Sequence, residues 1–134
     1  MGTKKNIYYL DDDLDDLYVF KEVAEELGHE VTIFVDGNIM LKSLTQLPLP
    51  DIIFLDIVMP VFDGDEIFHI IKKSDKWKVI PIVMISGHSP KSLIMQYMAA
   101  GAKYVMKKPS TLTDFRPALE QVLNIDWEKF QAYS

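Results

Sequence analysis

Four short apolar runs in this 134-residue chain each end on a charged or hydroxyl residue. They are residues 7–10 before Asp11, residues 52–55 before Asp56, residues 82–85 before Ser86, and residues 104–106 before Lys107 and Lys108. Segments of helical length separate the runs, and this alternation is typical of βαβ units with a parallel sheet. Because the carboxyl ends of parallel strands share one edge of a sheet, the pattern gathers carboxylates, a hydroxyl and an ammonium there.

The composition predicts one globular domain over residues 1–134, with its core at about 6–124 and a C-terminal helical extension or tail at 125–134. A hydrophobic content of 49% is enough for a sizeable core in a chain of this length. The chain has no cysteine, which excludes disulfide bonds, thiolate zinc sites and cysteine nucleophiles. A single compact unit built without cysteine is therefore expected.

Charge and hydropathy restrict the partners of the chain. No apolar run approaches the roughly 18 residues of a membrane span, and no signal peptide is recognisable at the N-terminus, so a soluble, cytoplasmic protein is expected. The net charge of −6 opposes attraction to nucleic acid and to anionic membrane surfaces. Direct binding to nucleic acid or to a membrane is therefore not expected.

Five βα repeats predict a doubly wound, five-stranded parallel sheet of order 2-1-3-4-5, with helices on both faces. The second helix is predicted to carry Leu44 and Leu47 on its apolar stripe and to end before Pro48. The fourth strand is predicted to begin at Pro81, and Thr113 or Asp114 to cap the last helix.

In that order, strands one and three flank the crevice of the sheet, so the acidic residues 11–13 and Asp56 approach one another. Neighbouring carboxylates repel unless a cation lies between them, which predicts an all-oxygen Mg²⁺ site. A carboxylate beside Mg²⁺ can attack a phosphoryl group and become an aspartyl phosphate. Ser86 and Lys108 then supply a hydroxyl and a positive charge from the next two strands.

At these positions the chain resembles the receiver domain of two-component response regulators, of the stand-alone chemotaxis type. The resemblance covers about residues 6–123 and implies a flavodoxin-like fold. Its motifs are Asp-Asp after strand one, Leu-Asp-Ile-Val-Met-Pro-Val-Phe-Asp-Gly around Asp56, Ser86-Gly87 after strand four, and Lys108-Pro109 after strand five. Each motif is weak alone, and their joint order is specific.

The resemblance implies a role for each site residue. Asp56 would accept the phosphoryl group, and the chain would catalyse only its own phosphoryl transfer and slow autodephosphorylation. Mg²⁺ would be held by Asp12 directly, by Asp11 mainly through water, by Asp56, and by the backbone carbonyl of Val58. Ser86 and Lys108 would each bind an oxygen of the phosphoryl group, and the changed charge would switch the domain.

The same resemblance implies the partners. A histidine kinase or a phosphotransfer protein would donate the phosphoryl group, and an output partner that the sequence does not identify would read the change. The surface of the last two helices and strand five is expected to bind that partner or a second copy of the chain. The segment after Lys108 has room for one helix and a short tail, in which Trp127, Phe130 and Tyr133 are expected to pack on the body, with partner docking as the minority hypothesis.

One position departs from the family pattern. An aromatic residue often lies three positions before the switch lysine, and here Val105 takes that place, with Tyr104 pointing to the opposite sheet face. Asp13 is a third carboxylate, interpreted as a residue of the helix N-terminus rather than as a metal ligand.

Two other functions stay open at this point. In a haloacid-dehalogenase-type phosphatase Asp11 would be the nucleophile and Asp13 the acid/base, but the chain lacks a second late acidic pair and a cap insertion, and Asp56 would have no role. A receiver-like interaction module that works without phosphate is disfavoured by the intact set of acceptor, metal and switch residues. An EF-hand reading of residues 11–22 fails because Asp16 takes the place of the required glycine.

Overall fold

The computed structural model describes residues 4–57, 64–87, 90–109 and 112–125. Five parallel strands form one sheet, in the order β2-β1-β3-β4-β5 that the sequence predicts. The strands are β1 Asn6–Leu10, β2 Glu30–Phe34, β3 Ile52–Asp56, β4 Ile82–Ser86 and β5 Tyr104–Lys107.

A helix follows each strand, as in a succession of βαβ units. The helices are α1 Leu14–Glu26, α2 Gly37–Ser43, α3 Gly64–Lys73, α4 Lys91–Ala99 and α5 Leu112–Leu123. Asp13 caps the N-terminus of α1, where its side chain accepts hydrogen bonds from the backbone N–H groups of Asp15 and Asp16. This agrees with the interpretation of Asp13 as a residue of the helix start.

The sheet is covered on both faces, and its strand residues alternate between two buried cores. The core on one face contains Tyr9, Phe54 and the buried sides of α1 and α5. The core on the other face contains Tyr8, Leu55 and the buried sides of α2, α3 and α4. Strands buried on both faces explain why the apolar runs are nearly continuous instead of alternating with polar residues.

Helix α2 ends earlier than predicted. It stops at Ser43, and tight bonds from Thr45 N to Lys42 O (3.1 Å) and from Gln46 N to Ser43 O (3.0 Å) close its end. Leu47, placed on the apolar stripe by the sequence, is 83% exposed. The prediction was wrong there because Pro48 keeps the preceding residue out of the helical region, so the periodic spacing runs past the helix.

Two further boundaries differ slightly from prediction. β4 begins at Ile82, although the Pro81 carbonyl still accepts a hydrogen bond from Ile53 N at 3.0 Å and so joins the ladder. α5 begins at Leu112, so Thr113 and Asp114 lie in its first turn and do not precede the helix as predicted.

Some predictions fall outside the described residues. Val58 and the aromatic residues Trp127, Phe130 and Tyr133 are among them, so the metal contact of Val58 and the packing of the tail stay predictions. Within the described ranges, none of the helices has both the length and the apolar character that a membrane crossing requires.

The start of α3 is packed directly on the end of β3. A Cβ atom added at Gly64 would overlap the backbone carbonyl oxygen of Asp56, whereas one added at Gly87 would meet no atom of the described residues within 4 Å. Because the obstacle at Gly64 is backbone, we expect Gly64→Ala to lower the free energy of unfolding by about 1–3 kcal/mol.

Urea denaturation of the two alanine variants checks this expectation. Gly87→Ala is the matched control and should stay within about 0.5 kcal/mol of the parent protein. Equal stability of Gly64→Ala and Gly87→Ala would contradict the close packing of α3 on Asp56.

Candidate functional site

The carboxyl edge of the sheet holds an acidic cluster of Asp11, Asp12 and Asp56. Asp11 and Asp12 follow β1, and Asp56 is the last residue of β3, the neighbouring strand. One carboxylate oxygen from each lies within 4.8 Å of the others. The proximity predicted from the strand order is therefore present.

Lys108 follows β5 and reaches across the edge to this cluster. Its Nζ lies 2.9 Å from Asp11 Oδ2, 3.0 Å from Asp16 Oδ2 and 3.7 Å from Asp56 Oδ2. The side chain is only 19% exposed. One ammonium thus neutralises only part of the charge of three carboxylates. The remaining negative charge would attract a second cation.

Asp11 is the most enclosed acid of the cluster, with no exposed surface. Its Oδ2 accepts hydrogen bonds from the Tyr9 hydroxyl at 2.5 Å and from Lys108 Nζ at 2.9 Å. Its Oδ1 accepts the backbone N–H of Asp13 at 3.0 Å. A buried carboxylate needs such donors, because water is not available to solvate it.

These contacts move the pKa values of the site in different directions. Burial raises the pKa of the Asp11 carboxyl, but the bonds from Tyr9, Asp13 and Lys108 outweigh burial and leave it lowered. The pKa of Asp12 is raised by burial and by its hydrogen bond to Asp11. As the pH falls, Asp12 therefore takes up a proton before Asp11, and Asp11 remains the ionised carboxylate of the pair.

Lys108 and Tyr9 both keep their protons. Burial alone would lower the pKa of Lys108, but its hydrogen bonds to Asp11 and Asp16 outweigh burial and leave the pKa raised. The pKa of Tyr9 is raised by burial and by the charge of Asp11. Both groups therefore remain hydrogen-bond donors to Asp11 over the physiological pH range.

Ser86 ends β4, the strand beside β3 on the side away from β1. It is 5% exposed and follows Ile85, the register partner of Asp56. Its carbonyl accepts the backbone N–H of Lys108 at 2.8 Å, which ties the Lys108 segment to the end of β4. Asp56 itself is 7% exposed.

The structure thus brings together five of the six predicted site residues, and Val58 lies outside the described ones. Sequence reasoning missed Tyr9 and Asp16. Tyr9 lies two residues before Asp11, so strand alternation places both on one face, and that spacing was the available signal. For Asp16 the available signal was its place in the first turn of α1, two residues after the start of a helix that follows β1.

The donor set fits Mg²⁺. Three carboxylates that can each offer one oxygen within 4.8 Å match the preference of this hard cation for oxygen ligands. The carboxylates lie close to Lys108, and the buried Ser86 ends the strand next to Asp56, so the edge carries groups suited to a divalent cation and to a tetrahedral anion.

Replacement of Lys108 by methionine tests the electrostatics of the cluster. The lowered pKa of Asp11 contributes stability above its unfolded value of about 3.9, and that contribution is lost as the pH falls through the folded value. Without the ammonium the folded pKa rises toward the unfolded one. We expect the Lys108→Met variant to begin acid unfolding at a higher pH than the parent protein. At pH 7 its free energy of unfolding should be lower by about 1.5–3 kcal/mol.

Circular dichroism during acid titration measures this shift, and the exposed neighbour Lys107→Met is the matched control. The control should unfold at the pH of the parent protein. Coincident acid transitions for Lys108→Met and Lys107→Met would show that Lys108 does not stabilise the Asp11 anion.

The chain is similar in sequence to parts of a transcriptional regulatory protein and of a signal transduction histidine kinase. It is 31% identical over 121 residues to the transcriptional regulatory protein PrrA of Mycobacterium tuberculosis, covering 90% of this chain and 51% of PrrA. It is 30% identical over 104 residues to hybrid signal transduction histidine kinase A of Dictyostelium discoideum, covering 75% of this chain and 5% of the kinase. The chain therefore spans about half the length of one relative and a small part of the other.

Solved structures share the fold. The Mn²⁺-bound form of response regulator Rcp1 has a TM-score of 0.80 at 23% identity, with coverage of 97% of this chain and 99% of that one. Chemotaxis response regulator CheY4 of Vibrio cholerae has a TM-score of 0.76 at 23% identity, with coverage of 90% and 99%. The model of the response regulator receiver domain matches residues 7–120. The chain belongs to the response regulator receiver domain family.

Proposed function

We propose that this protein is a phosphorylation-activated switch that accepts a phosphoryl group on Asp56 with the help of Mg²⁺. Family membership implies phosphorylation-dependent signalling, and the placement of Asp56 carries the assignment to that residue. Asp56 ends the strand next to β1, shares the acidic cluster with Asp11 and Asp12, and lies 3.7 Å from Lys108 Nζ. Its small exposed area gives a donor access to the carboxylate while most of the surrounding water is excluded.

In the proposed reaction an oxygen of the Asp56 carboxylate attacks the phosphorus atom of the donor. A new P–O bond forms, the bond from phosphorus to the donor atom breaks, and the donor leaves with that electron pair. The donor is the phosphorylated histidine of a histidine kinase or of a phosphotransfer protein. Water later attacks the same phosphorus and releases inorganic phosphate, which regenerates the Asp56 carboxylate.

Receiver domains bind Mg²⁺ at an acidic pocket, and the cluster here offers the matching oxygens. Asp12 and Asp56 would hold the ion directly and Asp11 mainly through water, with the Val58 carbonyl as a further ligand. When bound, the ion neutralises the oxygens of the incoming phosphoryl group. Asp11 keeps the pocket negative because its donors hold its pKa low.

Lys108 and Ser86 would convert the modification into a change of shape. A phosphoryl group adds roughly two negative charges and three acceptor oxygens, which compete with Asp11 and Asp16 for the Lys108 ammonium. Ser86, at the end of β4, would donate its hydroxyl to another oxygen. Movement of these two residues would carry the segments after β4 and β5 with them.

The output would pass through protein contacts. α4 and β5 follow Ser86 in the chain, and α5 follows Lys108. The surface of these three elements carries the exposed side chains of Met95, Tyr104 and Lys107. We place the output partner, or a second copy of the chain, on it. Val105, where the family often has an aromatic residue, packs against the core on the α4 side, so an aromatic rotamer at that position does not transmit the change here.

The two alternatives from the sequence have weaker support. A haloacid-dehalogenase-type phosphatase would use Asp11 as nucleophile, but this carboxylate has no exposed surface and accepts three hydrogen bonds. Neither the matching family nor the relatives above support that reaction. An interaction module that works without phosphorylation would not explain why Asp56, Ser86 and Lys108 lie at the same edge of the sheet.

Incubation with Mg²⁺ and a small acyl phosphate, followed by intact-mass measurement, tests the proposal. The parent protein should gain one phosphoryl group, and Asp56→Asn should gain none because an amide is a far weaker nucleophile than a carboxylate. Asp75→Asn is the control, because Asp75 lies beyond the C-terminal end of α3 with a side chain that is 98% exposed, and it should leave the adduct intact.

Each other outcome selects an alternative. Donor turnover that persists in Asp56→Asn would move the nucleophile to Asp11 and favour the phosphatase. An absence of adduct from the parent protein at every Mg²⁺ concentration would favour the phosphate-independent module.

A further inference from the structure

We infer that Tyr9 is a positioning residue for Asp11: its buried hydroxyl holds the Asp11 carboxylate in place when Lys108 turns toward the phosphoryl group. This inference rests on the proposed function, because it concerns the same Mg²⁺ and phosphoryl site. It adds a residue from inside the sheet to a site otherwise built from residues at the strand ends.

The two donors to Asp11 Oδ2 come from different parts of the fold. Tyr9 is a residue of β1 and donates from the core shared with α1 and α5. Lys108 follows β5 and donates from the pocket side. The same oxygen is therefore bound once by a group inside the sheet and once by a group that the proposed switch requires to move.

The position of the Tyr9 hydroxyl is fixed by its surroundings. Tyr9 has no exposed surface, and its ring lies with its centre 4.4 Å from that of Phe20 and 6.5 Å from that of Phe54. A tyrosine side chain in a strand has two main torsions, and packing on both sides removes that freedom. The hydroxyl can therefore serve as a stationary donor.

Lys108 is differently placed. Its side chain is partly exposed and its ammonium is shared among Asp11, Asp16 and, more distantly, Asp56. When a phosphoryl group draws this ammonium away, Asp11 loses a charge-assisted bond while it stays buried. Tyr9 and the Asp13 N–H are the donors that remain, so the carboxylate keeps its orientation toward Asp12 and the metal position.

Tyr9→Phe removes only this hydroxyl and preserves the packed ring. Loss of an outer hydrogen-bond partner of a metal-ligand carboxylate typically weakens metal binding by about 10–100-fold. We expect the Mg²⁺ dissociation constant of Tyr9→Phe to rise by about 10-fold or more, measured by calorimetry on the folded protein. Phosphorylation by an acyl phosphate should slow at low Mg²⁺ and recover at saturating Mg²⁺.

Tyr8→Phe is a closely matched control. Tyr8 is the adjacent buried residue of β1, points to the opposite core, and packs its ring on Phe34 at 5.0 Å. The same substitution there should leave the Mg²⁺ dissociation constant unchanged. An equal loss of Mg²⁺ affinity in both variants would assign the effect to general loosening of β1 and overturn the inference.

A double-mutant cycle tests whether Tyr9 acts through Asp11. Asp11→Asn removes the carboxylate that receives the hydrogen bond, so Tyr9→Phe added to it should cause little further loss of Mg²⁺ affinity. Additive losses would mean that Tyr9 acts by another route and would overturn the positioning role.

A measurement on the parent sequence, without any substitution, keeps the inference testable if Tyr9→Phe does not fold. The Tyr9 hydroxyl proton, held in a buried hydrogen bond, should be visible by NMR and exchange slowly with water. We expect it to remain protected after Mg²⁺ is added and after Asp56 is phosphorylated. Rapid exchange in either state would show that Tyr9 releases Asp11.

Failure of this inference differs from failure of the proposed function. Absence of Mg²⁺ binding and of a phosphoryl adduct in the parent protein would contradict the proposed function. Normal binding and phosphorylation in the parent, with an unchanged Mg²⁺ dissociation constant in Tyr9→Phe, would contradict only the role of Tyr9.

Discussion

The arrangement of the site depends on the ion pair between Lys108 and the buried Asp11. Asp11 has no exposed surface, so its charge is tolerated only because donors from β1, from the start of α1 and from Lys108 surround it. The pair joins the carboxyl ends of β1 and β5, which are separated in the sheet by β3 and β4. A change of charge at Asp56, 3.7 Å from the same ammonium, therefore acts on a contact that connects distant parts of the chain.

The sheet makes this contact possible by simple geometry. Parallel strands direct their last residues to one edge, and the order β2-β1-β3-β4-β5 sets Asp11 and Asp56 on neighbouring strands. The alternation of side chains along β1 assigns some residues to the core of one face and others to the face that leads to the acidic cluster. Tyr8 and Leu10 build the core on one face, whereas Tyr9 on the other face shares its side of the strand with Asp11.

Much of this could be predicted from the sequence because it depends on local patterns. The apolar runs and the intervening periodic segments predict the sheet order, and the residues at the run ends predict the acidic cluster with Ser86 and Lys108 nearby. The end of α2 was predicted wrongly because Leu47 continues the helical spacing, although the chain has already left the helix. The bond from Tyr9 to Asp11 depends on how two side chains meet in the folded core, and residue spacing alone gives only their common face.

The ion pairs of Lys108 with Asp11 and Asp16 in the unphosphorylated chain could not be predicted from the sequence either. Family resemblance places its ammonium on a phosphoryl oxygen, whereas here it pairs with Asp11 and Asp16. Asp16 belongs to α1, so the ammonium also connects that helix to the end of β5. The proposed switch is then an exchange of partners at one ammonium, from two carboxylates to a phosphoryl group of higher charge.

The most direct test is a crystal structure of the Mg²⁺-bound protein phosphorylated on Asp56, or carrying a stable phosphoryl mimic there. The account predicts that Lys108 Nζ lies within hydrogen-bond distance of a phosphoryl oxygen and has left Asp16, while the Tyr9 hydroxyl still donates to Asp11. A Lys108 ammonium still 2.9 Å from Asp11 Oδ2 and 3.0 Å from Asp16 Oδ2 in that structure would contradict it.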